Sequence, residues 1–165
     1  MFLLLILKKP LSFVVSLCLL STPAFAGELI MINATIPYVS NDAASEDIRV
    51  ECDWNQQLAQ NIVKKSKATV KVTDDDLTNI SGKKLVITVN QVRAVSSDLD
   101  KGKKWAHIRG NLIENGNVIG SFNALRITSR GSNVCSTLNR LGLELADDVA
   151  EWLKNPTMDA PLGDV

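Results

Sequence analysis

The stretch "WAHIRGNLIENGNVIGSFNALRIT" (105–128) contains the strongest hairpin signal in the chain. Asn115-Gly116 suits a two-residue β-turn, because both central positions of that turn need a positive φ. The flanking segments 105–113 and 118–128 are therefore predicted to be paired strands. The second strand carries small or apolar residues on both faces: Gly120, Phe122 and Ala124 on one, Ile119, Leu125 and Ile127 on the other. This pattern predicts a strand near the centre of a sheet.

Three further strands are predicted upstream of the hairpin. They are rich in β-branched and apolar residues, which strands favour. Polar or acidic segments separate the later strands, as expected for loops. The strands cover 28–39, 68–73 and 85–95, and the loops cover 74–84 and 96–104.

Two segments have apolar residues spaced by three and four positions, which is typical of amphipathic helices. The first runs from about Ala44 to Lys65, with Asp42 or Ser45 as a candidate N-cap. Its stripe consists of Ile48, Cys52, Ala59, Ile62 and Val63, with Leu58 beside it. The second follows the candidate N-cap Ser132 and ends before Pro156. Its stripe consists of Leu138, Leu141, Leu145, Val149, Trp152 and Leu153.

These elements follow the order βαββββα. Both helices need a sheet face on which to bury their apolar stripes. The sequence therefore predicts an α+β fold, a two-layer sandwich in which two helices pack on one face of a mixed, mostly antiparallel sheet of about five strands. We expect one domain over 27–154 and a flexible tail over 155–165.

Residues 1–26 have the organisation of a secretory signal peptide. Lys8 and Lys9 precede the apolar run 11–20, and Ala24-Phe25-Ala26 supplies small residues for a signal peptidase. The alternative is an uncleaved membrane anchor, although the apolar run is short for a bilayer span of about 20 residues. We predict cleavage after Ala26, no stable membrane span afterwards, and a periplasmic or secreted protein.

The charge of the mature chain argues against some partners. Removal of the signal leaves 16 basic against 18 acidic side chains, without a basic cluster. Nucleic acids and anionic membranes attract strongly basic surfaces. Neither is therefore expected to be the main partner.

Two cysteines, Cys52 and Cys135, remain after the signal peptide is removed. A pair of cysteines in an exported protein most simply forms a disulfide. A bridge that closes a loop of about 84 residues contributes about 4–5 kcal/mol at most in the chain-entropy model. The alternatives are free or intermolecular thiols.

Catalytic and metal-binding motifs are not found in the sequence. His107 is the single histidine, so neither a Cys–His pair nor a zinc ligand set is expected. The acidic segment 72–76 matches no calcium loop, and Asp147-Asp148 is expected to be a solvated charge pair. We predict no catalytic residue, no metal and no cofactor; carboxylate-dependent catalysis stays an alternative.

One cluster of side chains is a candidate for partner binding. Trp105 begins a strand directly after Lys103 and Lys104, in the segment "KGKKW". Core packing is the alternative for Trp105, as it is for Trp54 and Trp152. The functional interpretation is a rim that contacts a protein partner or a glycan.

The order of elements after a signal peptide, with the segment "GSFNALRIT…CSTLNRLGLELADDVAEWL", resembles a group of small bacterial envelope proteins. The group includes the amino-terminal domain of TolB and auxiliary lipoproteins of lipopolysaccharide and exopolysaccharide export. The resemblance covers most of 28–154 as a pattern of elements, and no functional residue is carried over. The chain departs from many of those proteins by lacking the lipid-anchor cysteine.

The resemblance and the absence of catalytic motifs together predict a non-enzymatic binding domain, an accessory in envelope assembly or transport. We expect a protein partner, bound at a sheet edge or at the face opposite the helices. Self-association is compatible with this role. The alternatives are a secreted inhibitor or a glycan- or enzyme-binding module, and a carboxylate-dependent hydrolase.

Overall fold

The computed structural model describes residues 29–67, 69–94 and 102–165. The predicted signal segment and its cleavage position Ala26 lie outside these ranges. Among the helices within them, none has the length and apolar character needed to cross a membrane.

A six-stranded sheet forms one layer of the molecule, with strand order β2-β1-β3-β4-β5-β6. β1 runs parallel to both β2 and β3, whereas β3, β4 and β5 form an antiparallel meander, and β6 runs parallel to β5. The predicted α+β class with a mixed sheet is confirmed, with six strands instead of five. The strands are β1 (Ile30–Asn33), β2 (Val70–Thr73), β3 (Lys83–Arg93), β4 (Lys104–Glu114), β5 (Asn117–Thr128) and β6 (Ala160–Gly163).

The predicted hairpin joins β4 and β5. Asn115 and Gly116 have φ values of 50° and 83°, and Glu114 pairs with Asn117 across the turn. Two successive positive φ values are the requirement that Asn-Gly satisfies at low cost.

Within the described residues, three α-helices form the second layer: α1 (Glu46–Glu51), α2 (Trp54–Lys65) and α3 (Val134–Trp152). The single helix predicted over 44–65 is therefore wrong, because the chain is extended at Cys52, with φ −108° and ψ 125°. In a continuous helix two residues apart differ by about 200° around the axis, so Cys52 and Trp54 would point in opposite directions. The break allows both to be buried, with exposed fractions of 6% and 0%.

α3 begins one residue later than the sequence predicts. Asn133, not Ser132, is the N-cap, and its side-chain oxygen accepts a hydrogen bond from Ser136 N at 2.9 Å. This contact satisfies one of the amide groups left without a partner in the first turn.

One hydrophobic core lies between the helices and the sheet. Trp54 packs edge to face with Tyr38 and donates its indole N–H to the Tyr38 hydroxyl at 2.8 Å. Trp152 packs in the same manner against Phe122. Both helical tryptophans are therefore core residues. Other side chains buried completely or nearly so are Ile32, Ile36, Leu58, Ile62, Leu85, Ile87, Ile108, Leu112, Leu138, Leu141 and Leu145.

The prediction of a flexible tail over 155–165 is contradicted by strand β6. Thr157 O accepts hydrogen bonds from Ser121 N at 3.0 Å and from the Trp152 indole at 3.3 Å. Asp164 N then donates to Leu125 O at 2.8 Å. The tail is ordered because it completes the free edge of β5 and covers part of the core with Ala160.

Candidate functional site

One face of the sheet has no helix packed on it within the described residues, and β3, β4 and β5 present aligned side chains there. Arg93, Trp105 and Ile127 form one cross-strand row, since Arg93 pairs with Trp105 and Trp105 pairs with Ile127. His107 and Leu125 occupy the next row on the same face, two residues further along. Residues in such rows are close enough to form a shared surface.

These rows form a cavity of about 360 Å³ on the uncovered face, which we call the open-face groove. Trp105, Leu125 and Ile127 supply its apolar surface. All three are only partly buried, so the apolar surface is accessible from outside. The lining residues are Gln91, Lys103, Trp105, His107, Asn123, Leu125, Ile127 and Val165.

Cationic side chains flank the open-face groove. The Arg93 guanidinium lies 5.3 Å from the centroid of the Trp105 ring, within the range of a cation–π contact. Arg109, which follows His107 on the same face of β4, donates from Nε to Asn123 Oδ1 at 3.3 Å. Arg93, Lys103 and Arg109 are exposed, and no ion pair between described residues involves them. The groove is therefore a positively charged surface with an apolar centre.

His107 is held by an amide rather than by a catalytic partner. Its Nε2 lies 2.5 Å from Asn123 Oδ1, and because an amide oxygen only accepts hydrogen bonds, Nε2 is the donor. In the described ranges no group of three or more His, Cys, Asp or Glu side chains is arranged to hold a metal. His107 therefore contributes to the surface of the groove, and its geometry offers hydrogen bonding rather than metal ligation.

The three residues of the predicted rim do not lie together. Lys103 is exposed and Trp105 lines the groove, but Lys104 points to the opposite face of the sheet, where it is 5% exposed. Its ammonium group donates to Gly131 O at 2.7 Å. Successive side chains of a strand alternate between faces, so Lys104 cannot join a surface formed by its neighbours. Lys104 is thus a structural residue.

Sequence reasoning missed the partners of Trp105 on β3 and β5. The sequence places Leu125 and Ile127 on a second apolar face of their strand, but nothing in the sequence around Gln91 indicates that it lies at a site. The apolar outer face of β5 was the available signal. It predicted a strand near the centre of the sheet, whereas β5 lies next to the edge strand β6 and lines the groove with that face.

The predicted Cys52–Cys135 disulfide is confirmed, with a Cα–Cα distance of 5.2 Å. It joins the carboxyl end of α1 to the first turn of α3. In this bonded form neither sulfur is available as a nucleophile or a metal ligand.

A second cavity, of about 380 Å³, lies where the ends of α2 and α3 meet. Four of its five charged side chains form two ion pairs: Lys65 lies 2.6 Å from Asp147, and Lys154 pairs with Glu151. The fifth is Lys67, so this cavity offers one cation outside these two pairs.

The adjacent carboxylate Asp148 is also engaged. Arg126 donates to it from Nε at 2.7 Å and from a terminal nitrogen at 2.5 Å. The hydrogen bonds from Arg126 to Asp148 raise the pKa of the Arg126 guanidinium. Asp147 and Asp148 thus each have a cationic partner, and they do not form a shared acid–base site.

The fold is a two-layer α+β domain, with a groove on the sheet face that no helix covers within the described residues. No family model matches the chain, and no curated protein matches it. Among solved structures, PelC from Paraburkholderia phytofirmans, a dodecamer, is similar with a TM-score of 0.48 and 15% identity over 73% of this chain and 87% of that chain. A candidate lipoprotein from Caulobacter crescentus CB15 has a TM-score of 0.36 and 16% identity over 75% and 94%. Similarity at this level assigns neither a family nor a function.

Proposed function

We propose that this protein is an exported, non-enzymatic binding domain that acts as an accessory in envelope assembly or transport. It contacts a protein partner through the open-face groove. The observation that carries the proposal is the accessible apolar surface of Trp105, Leu125 and Ile127 on a face that no described element covers.

The composition of that face supports binding over simple solvation. The solvated face of an antiparallel sheet is normally polar, because only the other face packs on the core. Here a tryptophan, a leucine and an isoleucine adjoin on the outer face. Removal of apolar surface from water contributes about 25 cal/mol per Å², so a partner that covers these side chains gains affinity. Aromatic residues next to arginines are also typical of binding hot spots.

An exported location is part of the proposal. The Cys52–Cys135 bond supports it, because structural disulfides persist in oxidising compartments. The amino-terminal segment with the pattern of a signal peptide supports it as well. A periplasmic or secreted protein satisfies both observations.

The electrostatics favour binding over hydrolysis. A carboxylate-dependent hydrolase needs two carboxyl groups with different protonation states facing one cleft. Asp147 and Asp148 are instead engaged by Lys65 and Arg126. The groove itself has no Asp or Glu side chain among its lining residues within the described ranges.

Site-specific photo-crosslinking tests the proposal. A photoreactive amino acid is introduced at Gln91, in the groove, and separately at Leu143, an exposed residue on α3 that is 43% accessible. In cells that produce the protein, the Gln91 position should yield a discrete adduct and the matched Leu143 position should not. Trp105→Ala should reduce the Gln91 adduct at unchanged protein level.

Three results would contradict the proposal. One is the absence of any adduct from the groove position, and another is equal adducts from both positions. An adduct of twice the chain's mass would identify a second copy of this chain on the face and would contradict a different protein as partner.

A further inference from the structure

We infer that the open-face groove binds an extended acidic segment of its protein partner, with carboxylates at the cations and an apolar side chain between them. This inference rests on the proposed function and specifies the chemistry of the partner.

The charge distribution indicates an anionic ligand. Arg93, Lys103 and Arg109 flank the groove, whose own lining has no Asp or Glu side chain within the described residues. One carboxylate, Asp159, lines the adjoining cavity. Asp159 accepts a hydrogen bond from the Ser121 hydroxyl at 3.0 Å. Asp164 accepts a hydrogen bond from Ile127 N at 2.8 Å and lies 3.6 Å from Arg126. The surface around the groove is therefore locally positive, on a chain whose formal net charge is zero. Carboxylates are the groups that pair with such cations.

The cation–π contact prepares one of these cations for recognition. The Arg93 guanidinium is held against the Trp105 ring, which restricts the side chain before a ligand arrives. A guanidinium ordered in this way loses less conformational entropy when it binds a carboxylate. Arg93 and Trp105 together thus offer adjoining sites for a carboxylate and an apolar side chain.

The length of the surface indicates a peptide rather than a compact small molecule. A cavity of about 410 Å³ continues from the groove along β4 and β5 and shares Asn123 with it. From Trp105 to Asn111 the strand advances about 20 Å, at about 3.3 Å per residue. This length accommodates about seven residues of extended chain. Asn111, which lines the second cavity and is exposed, supplies a polar group suited to peptide backbone.

The spacing of the side chains predicts a sequence pattern in the partner. Alternate residues of an extended peptide point to the same side. Lys103, Trp105 and Arg109 lie on one surface at intervals of two and four residues along the chain. The pattern that fits has an acidic residue at position 1, an apolar residue at position 3 and a second acidic residue at position 7.

A pool of heptapeptides tests the inference. The pool has Asp or Glu at positions 1 and 7 and Leu, Ile or Phe at position 3; a matched pool has Asn or Gln in place of the acids. The peptides retained by the immobilised protein are quantified by mass spectrometry. We expect at least about tenfold greater retention of the acidic pool, since carboxylates form charge-assisted hydrogen bonds with guanidinium groups and carboxamides do not.

Two variants with equal loss of charge provide the control. Arg93→Gln with Arg109→Gln removes two cations from the groove and should abolish the preference for the acidic pool. Lys64→Gln with Lys67→Gln removes two exposed cations near the end of α2 and should leave the preference unchanged. Equal retention of both pools by the unmodified protein overturns the inference, as does an equal effect of the two double variants.

Two further arms separate the inference from the proposed function. An acidic oligosaccharide, oligogalacturonate, that binds where no peptide does overturns the assignment to a protein segment. A Gln91 photo-crosslink that persists in the Arg93→Gln/Arg109→Gln variant also overturns the inference, while the groove remains a docking surface. A crosslink that disappears in that variant supports it.

Discussion

The Cys52–Cys135 disulfide should be the largest single contribution to the stability of the domain. It joins residues 83 positions apart and ties α1 to the first turn of α3. The perturbation is the double substitution Cys52→Ala with Cys135→Ala. Alanine avoids placing a new hydroxyl group at Cys52, which is only 6% exposed.

The magnitude follows from the length of the closed loop. A bridge of this separation closes a loop of about 84 residues, and the chain-entropy relation then assigns about 4.5 kcal/mol at 25 °C. Native domains are stable by about 5–15 kcal/mol. The variant should therefore lose roughly a third or more of the free energy of unfolding.

Equilibrium unfolding in guanidinium chloride measures the effect. The oxidised protein, the reduced protein and the double variant are compared, and mass spectrometry confirms that the oxidised form lacks two hydrogens. The reduced protein and the variant should agree, with a free energy of unfolding about 3–5 kcal/mol below that of the oxidised protein. Their m-values should be larger, because an unfolded chain without the bridge exposes more surface. A loss below about 1 kcal/mol would refute the loop-entropy reasoning.

Two further predictions concern the core. Burial raises the pKa of Tyr38, the single tyrosine, so its phenolate absorbance should titrate at higher pH in the folded than in the unfolded protein. The stability that this pKa difference contributes is fully present below the unfolded pKa of about 10 and is lost as pH rises through the folded pKa. Tyr38→Phe should remove that loss. Coincident titrations of the folded and the unfolded protein would contradict the prediction. A Cβ at Gly110 would lie 2.3 Å from the Phe122 ring, so Gly110→Ala should lower the free energy of unfolding by about 1–3 kcal/mol. Asn111→Ala, on the exposed face, should change it by less than about 0.5 kcal/mol; equal effects in urea unfolding would show that the ring is not confined.

The parts of the fold that local sequence determines were predictable. The β4–β5 hairpin follows from Asn115-Gly116, and α3 follows from a stripe sustained over five turns. The break at Cys52 was not predictable from spacing. Ile48 of α1 and the buried residues of α2 fit one continuous helical stripe, because both helices pack on the same core. β6 was missed because four residues that include Pro161 carry too weak a strand signal. Their order depends on the free edge of β5, which is a tertiary property.

The candidate site was predictable only in part for a related reason. Trp105 and Lys103 were identified from composition, but the faces of a strand depend on its register, and register depends on the partner strands. Lys104 was therefore placed on the wrong side. Gln91 and Leu125 meet near His107 only through the pairing of β3, β4 and β5. A bulge between Val89 and Gln91 shifts the alternation of side chains between the two faces of β3. The local sequence does not predict this bulge.

The end of β3 connects the stabilising layer to the proposed binding surface. Ala94 lines a cavity of about 150 Å³ beside the disulfide, together with Cys52 and Cys135. Its neighbour Arg93 points to the other face and contacts Trp105. The disulfide and the strand end that carries Arg93 therefore lie beside one cavity. Preorganised sites depend on the residues that support them from behind, so we expect loss of the bridge to loosen the end of β3 and, with it, the contact between Arg93 and Trp105.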